Sequence, residues 1–329
     1  MKVFDFSPEQ YSNEYQAKGF VNISNGMNPE FLAYARDQAH ELIEAQRSLK
    51  EWEFKGKKQQ FLFSFPPDSD FPHGVKQAVA RVAGLSEERM TLCERHIKAY
   101  DHTAAANPPP HKDRVASEVA VGIPLAVPHG SYMVLYPNHH VAANPYNTTA
   151  LLRSSLDENE LPENILKDIE PVKLDVQPGD VVMFRGSAIW HERINPANTM
   201  LLYLKFNAMR LDPIGEDPGT PLQREKSLGL LRTTPDEQLL RSRIEVSPRL
   251  ERISRHYTRL YWKEMVQAYI GGEKEFTLSE FDLQIFRNVE GDQTVSGTLE
   301  CVGVSGADQL NYLPRVRRLI ALGGIDILS

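Results

Sequence analysis

Hydrophobic and polar positions change their period several times along the chain, and each change marks an element. After Asn28-Pro29, an N-cap followed by a first-turn proline, Phe31, Leu32, Ala35, Leu42 and Ile43 recur at helical spacing to about residue 48. Residues 60–64 read as a strand ended by Pro66, Pro67 and Pro72, and 74–82 as a helix. From Thr91 to Tyr100 the pattern alternates. Cys93, Arg95, Ile97 and Ala99 fall on one side of a strand, and Leu92, Glu94, His96, Lys98 and Tyr100 on the other. Short apolar or alternating runs then follow at 117–125, 132–136, 172–176, 181–184 and 200–207. Pro128-His129-Gly130, Pro137-Asn138 and Pro178-Gly179-Asp180 punctuate them. Short strands with such turns predict an antiparallel sandwich or barrel, with 144–171 as a long insertion.

After about residue 212 the pattern changes character. Asp212-Pro213 and Asp217-Pro218-Gly219-Thr220-Pro221 read as a linker, which divides the chain into 1–212 and a mainly helical 213–329. Residues 248–270 predict a helix with Arg249, Arg252, Arg255, Arg259 and Lys263 on one stripe, either a solvated face or a docking surface. Leu278, Phe281, Ile285 and Phe286, a polar turn at Gly291-Asp292, then Val316, Leu319 and Ile320 before Leu322-Gly323-Gly324-Ile325 give helix, turn, helix, short strand. That order suits a small winged-helix-like appendage, and the fold class is α+β.

Composition narrows the function classes. With 329 residues, 41% hydrophobic and 25% charged, the chain can bury one large core and a smaller second one. A net charge of -7 speaks against nucleic acid as a partner. No apolar stretch approaches the length of a membrane span, and MKVFDFSPEQ lacks the apolar core of a signal peptide. Two distant cysteines, Cys93 and Cys301, fit a reducing cytoplasm.

The candidate chemistry sits in Pro108-Pro109-Pro110-His111-Lys112-Asp113-Arg114. In an extended strand residues two apart point the same way, so His111 and Asp113 can reach one point while Lys112 and Arg114 turn away. An imidazole and a carboxylate are two legs of the facial triad of non-haem Fe(II) oxygenases. Of the ten histidines, His191 is the candidate for the third leg, because 174–184 read as strand, tight turn and strand, and Gly186-Ser187-Ala188-Ile189-Trp190-His191 brings a histidine to the next one. His139-His140 is set aside, since neighbours on a strand face opposite sides. No dinucleotide fingerprint, P-loop, nucleophile elbow or Cys-x-x-Cys pair is present.

His-x-Asp followed by Pro178-Gly179-Asp180-Val181-Val182-x-Phe184 and then His191 resembles the Fe(II)/2-oxoglutarate-dependent dioxygenase superfamily, nearest its phytanoyl-CoA-hydroxylase-like and small-molecule hydroxylase branches, over residues 90–210. The resemblance implies a double-stranded β-helix (jelly-roll, cupin-like) core with flanking helices. It implies Fe(II) on His111, Asp113 and His191, with 2-oxoglutarate and O2 as cosubstrates; Zn(II) fits the same ligands, so iron is what the resemblance adds. It also implies a cation for the distal carboxylate of 2-oxoglutarate. Lys205, 14 residues after His191 in an apolar strand, stands where that cation is usual, although arginine is the commoner choice, and Arg193 and Arg210 are the alternatives. Tyr100, Asn107 and Tyr132 are candidates for substrate contact. The expected reaction is hydroxylation of an unactivated C–H bond of a small molecule such as an amino acid, a carboxylic acid or a natural-product intermediate, giving succinate and CO2. The insertion and the C-terminal region are expected to cover the pocket or to mediate a homodimer. A cupin-like metal-binding sensor without turnover, or a zinc hydrolase, would use the same ligands differently.

Overall fold

Strand alternation decides how the first 210 residues are layered. The computed structural model describes residues 1–48, 58–102, 104, 109–137, 142–260, 262–271, 274–289, 291 and 293–328, and the chain divides into two compact units, Met1–Arg210 and Leu211–Ser329. Unit one runs α1 (Glu9–Lys18), β1 (Phe20–Ile23), α2 (Pro29–Ser48), β2 (Lys58–Leu62), α3 (His73–Ala83), β3 (Thr91–Tyr100), β4 (Val119–Ala126), β5 (Tyr132–Tyr136), α4 (Thr149–Ser155), α5 (Pro162–Ile165), β6 (Val172–Leu174), β7 (Val181–Phe184), β8 (Trp190–Ile194) and β9 (Met200–Asn207). A six-stranded antiparallel sheet has the order β1-β7-β4-β9-β3-β2, and a three-stranded one the order β6-β5-β8.

The large sheet has two dissimilar faces. Val119, Val121, Ile123 and Leu125 of β4, with Leu202, Leu204 and Phe206 of β9, pack with Phe31, Ala35 and Val79 of the helices. Their neighbours along the strands turn the other way, where Phe20, Ala120, Val182 and Phe184 meet Met133, Leu135 and Leu174 of the small sheet. Each large apolar side chain so buried contributes about 1.5–3 kcal/mol. The two antiparallel sheets therefore face each other, in keeping with a jelly roll, and β3 and β9 carry their polar residues on the face between them. Glu94 lies opposite Lys205 in that register, and His96 opposite Tyr203.

The insertion at 144–171 is helical. Leu152, Leu156, Ile165 and Leu166 close over Trp190, on the face of β8 turned away from the space between the sheets.

Unit two contains α6 (Gly219–Thr233), α7 (Asp236–Arg241), β10 (Ile244–Val246), β11 (Leu250–Thr258), β12 (Lys263–Ile270), β13 (Lys274–Leu278), α8 (Glu280–Asn288), α9 (Val295–Cys301), α10 (Gln309–Leu322) and β14 (Ile325–Ile327). The helix expected over 248–270 is instead the antiparallel pair β11–β12. Its basic residues fit a helical stripe by spacing, but Val266, Ala268 and Ile270 are buried at every second position, and the arginines bond across the sheet. Arg255 reaches Glu264 and Glu280, and Arg252 lies over the Tyr269 ring. Nor is 212–221 a slack linker. Asp212 is buried and accepts from the backbone N–H of Glu216 and Asp217, and Asp217 accepts in turn from Gly219 N at the start of α6.

Candidate metal centre

Backbone pairing brings two of the three candidate ligands side by side. His111 and His191 form an isolated antiparallel bridge in which each N–H donates to the other's carbonyl at 2.9 Å. The bridge extends the small sheet by one short strand. Asp113, two residues on, donates its N–H to Gly186 O at 2.9 Å, and buried Asn144 donates from Nδ2 to Asp113 O at 2.9 Å. His111, Asp113 and His191 consequently offer one ligand atom each, all within 4.8 Å of one another.

The ring orientations suit a metal. His191 Nδ1–H donates to Ile189 O at 3.0 Å and His111 Nδ1–H to Pro109 O at 3.3 Å, which leaves both Nε2 atoms as acceptors. His191 Nε2 lies 3.9 Å from Asp113 Oδ2. Burial, and then the neighbouring His191, push the His111 pKa down to about 3, and burial also lowers that of His191. Burial works to raise Asp113, but the Lys205 ammonium and then the imidazoles outweigh it and hold the carboxyl at about 2. Two neutral imidazoles and one carboxylate are the protonation states that a divalent ion requires.

Gly186 makes room for this arrangement. A Cβ there would stand 2.8 Å from Asp113 Oδ2 and 2.9 Å from Ser117 O. In the sequence the signal for Gly186 is its position in a strand-to-strand connection, five residues before His191.

The triad opens on a cavity of about 360 Å³ that Lys98, Tyr100, Met133, Thr149, Arg193, Tyr203 and Lys205 help to line. Tyr100, a candidate for substrate contact, is on the lining, its hydroxyl pKa pushed up to about 12 by burial and by Tyr203. Thr149 comes from the insertion, anchored by its hydroxyl to Lys112 O at 3.0 Å. Tyr132 is not on the lining; it lies on the opposite face of β5 from Met133, with the Lys173 ammonium 3.9 Å above its ring. Arg210 does not line the cavity either: it ends the first unit with a left-handed φ of 56°. Asn107 and the His139-His140 pair lie outside the described residues.

The two remaining cation candidates differ sharply. Lys205 Nζ donates to Asp113 Oδ1 at 2.8 Å and lies 3.4 Å from Glu94 Oε1. Burial would lower its pKa, yet Asp113 and Glu94 together raise it. Asp113 and Glu94 thus give this buried lysine the anions it demands from within the protein itself. Arg193 is also buried, on β8 two residues after His191, and its Nη1 donates to Ser131 Oγ at 3.4 Å. Ser131 Oγ and Thr199 Oγ1 are 3.2 Å apart. The Arg193 Nε has no hydrogen-bond partner among the described residues. A buried guanidinium held by neutral hydroxyls is incomplete without an anion.

Glu94, Lys98 and Tyr203 are further cavity-side residues that were not expected to take part. Their signal was the alternation of β3 and β9, which put Glu94, His96, Lys98 and Tyr100 on one face and Tyr203 and Lys205 on another.

No protein-family model matches the chain, and no curated protein matches it. Similar solved structures include SnoN, an epimerase from nogalamycin biosynthesis in complex with Fe3+ and alpha ketoglutarate, at 14% identity over 63% of this chain and 84% of that one, TM-score 0.41. A prolyl-4-hydroxylase of Pseudomonas putida is similar at 13% identity over 61% and 98%, TM-score 0.41. EctD of S. alaskensis, with 2-oxoglutarate and 5-hydroxyectoine, is similar at 16% identity over 61% and 76%, TM-score 0.41. Likeness at this level adds nothing to the chemistry, which His111, Asp113, His191 and Arg193 carry.

Proposed function

We propose that this chain is an Fe(II)- and 2-oxoglutarate-dependent oxygenase that hydroxylates an unactivated C–H bond of a small molecule. The observation that carries the reading is the conjunction, in one cavity, of a His-Asp-His donor set, with Asp113 and His191 buried, and a buried arginine short of an anion. Either feature alone has other uses. Together they match a metal ion and a dicarboxylate that reaches from it to a cation.

Each residue has a part. His111 Nε2, His191 Nε2 and one oxygen of Asp113 would hold the ion, while Lys205 restrains the other Asp113 oxygen. Arg193, with Ser131, would hold the distal carboxylate of 2-oxoglutarate. When bound, the iron and cosubstrate supply oxidative chemistry that consumes O2 and releases succinate and CO2. Burial of Asp113 and His191 would help to keep water from the reacting atoms. Asp113 leaves no ligand position for a halide, which favours hydroxylation over halogenation.

The same reading takes the facing sheets as a double-stranded β-helix and α8–α10 with β14 as a winged-helix-like end. Free cysteines, Cys93 buried and Cys301 exposed, agree with a reducing compartment. Among the described residues no helix is long and apolar enough to cross a membrane.

The test is cosubstrate turnover. Purified protein with Fe(II), 2-oxoglutarate and O2 should form succinate, even slowly without substrate, and His111→Ala should not. Succinate formation equal in the two proteins, or hydrolytic activity that needs neither O2 nor 2-oxoglutarate, would contradict the reading.

A further inference from the structure

The start of the insertion after β5 is fastened along the segment that carries His111 and Asp113. Ala142 O accepts from Lys112 Nζ at 3.0 Å, and Asn144 Nδ2 donates to Asp113 O at 2.9 Å. Tyr146 O accepts from Val115 N at 2.8 Å, and Thr149 Oγ1 donates to Lys112 O at 3.0 Å. Residues 142–149 thus bond to residues 112–115 at successive points, and Lys112 and Asn144 are both fully buried.

Asn144 does more than the other tie points. Its Oδ1 accepts from Tyr146 N at 2.8 Å while its Nδ2 holds Asp113 O, so both ends of the amide are used and its orientation is fixed. Its own backbone N–H donates to Ser187 O at 2.8 Å. Ser187 follows Gly186, whose carbonyl takes the Asp113 N–H at 2.9 Å, and lies in the connection that leads to His191. One fully buried residue therefore bonds both to a ligand residue, Asp113, and to the stretch that delivers another, His191. The Asp113 side chain is aimed from this backbone. With Oδ1 held by Lys205, its Oδ2 faces His191 Nε2. Loss of the Asn144 amide would leave the Asp113 carbonyl buried without that donor and let the backbone under the carboxylate shift. Partners that orient a metal ligand in this way typically change metal affinity by about 10- to 100-fold.

We propose that Asn144 is a positioning residue of the metal centre, joining the Asp113 segment to the connection before His191, so that seating of the insertion and binding of the ion favour each other. Coupling of this kind is reciprocal: what the seated insertion adds to metal affinity, the ion returns to the insertion. Thr149 carries the same seating into the cavity wall. The inference rests on the metal half of the oxygenase reading and is independent of where 2-oxoglutarate binds.

The experiment titrates the full metal-free chain with Co(II), read by equilibrium dialysis and by the visible bands of the bound ion. Asn144→Ala should bind Co(II) about 10- to 100-fold more weakly than wild type, with shifted bands at saturation. Val79→Ala, in the core on the other face of the large sheet, serves as the comparison; it should lose stability to urea yet keep Co(II) affinity within about twofold. In wild type, Co(II) should slow hydrogen exchange of the amides over 146–155 by about tenfold or more. Unchanged affinity or unshifted bands in Asn144→Ala, equal losses of affinity in the two variants, or wild-type exchange that ignores the metal would overturn the proposal. Should Asn144→Ala not fold, the wild-type exchange decides alone. Failure of wild type to bind Co(II) would strike the metal reading itself and the proposal with it, whereas normal wild-type binding with an unmoved variant strikes the proposal alone.

Discussion

Lys205 and Arg193 occupy the same cavity and the same degree of burial, yet their surroundings are opposite. Lys205 is saturated, with Asp113 at 2.8 Å and Glu94 at 3.4 Å. Arg193 donates from Nη1 to the Ser131 hydroxyl at 3.4 Å, and its buried Nε has no hydrogen-bond partner among the described residues. A buried cation that already has its carboxylates is part of the framework, whereas one that lacks them is waiting for a ligand. Position in the sequence suggests the reverse, because Lys205 stands where the resemblance expects the cosubstrate's cation. The partner atoms, not the spacing, separate the two roles.

Stability should separate them most strongly. In metal-free protein, Lys205→Met leaves Asp113 and Glu94 facing each other without their shared counter-charge and should cost about 3–5 kcal/mol in urea unfolding. Arg193→Met removes an incompletely bonded guanidinium and should be neutral or stabilising, by up to about 1 kcal/mol. Equal losses in the two variants would erase the distinction. Cosubstrate affinity should invert the order. Arg193→Met should weaken 2-oxoglutarate binding by about 2–3 kcal/mol, roughly 30- to 150-fold, measured by calorimetry on the metal-loaded protein. A larger loss in Lys205→Gln than in Arg193→Met would return the cosubstrate to Lys205.

Gly186→Ala probes the framework side more gently. The new methyl would press on Asp113 Oδ2, so metal affinity should drop about tenfold with a stability loss of about 1–3 kcal/mol. Unchanged affinity would mean that Asp113 has freedom the structure does not give it.

The smallest effect concerns acid. Burial works to raise the Glu94 pKa, but Lys205, the His96 hydrogen bond, Lys98 and Arg114 bring it below its ordinary 4.5. A carboxyl depressed by folding stabilises fully above its unfolded pKa, and that contribution is lost as pH falls below about 4.5. Wild-type stability should therefore decline between pH 5 and pH 3. Glu94→Gln should be less stable at pH 6 but decline less steeply, by up to about 1.4 kcal/mol per pH unit. Parallel pH profiles would show that Glu94 titrates normally.

What the sequence makes legible follows from the range of the interactions. The strands at Tyr132–Tyr136, Val181–Phe184 and Met200–Asn207 are written in local alternation and turn residues, and the structure has them at those bounds. The closeness of His111 and Asp113 follows from a two-residue spacing in extended chain. Lys205's partners were not legible, because Asp113 lies 92 residues away and Glu94 meets it only through the register of β3 on β9. The β11–β12 pair was misread for a different reason. Its connection contains no Gly, Pro or Asn, the chain turns at Trp262 with a φ of 47°, and arginines three and four apart imitate a helical face.

The most direct test of the central claim is an anaerobic titration of the metal-free chain with Fe(II) and then 2-oxoglutarate, with dialysis to count bound iron and visible absorption to follow the chelate. One Fe(II) per chain and a visible charge-transfer band on adding 2-oxoglutarate are predicted, with both lost in Asp113→Ala while that variant keeps its folded circular dichroism. Iron affinity unchanged in Asp113→Ala, or iron bound without any response to 2-oxoglutarate, would contradict the account.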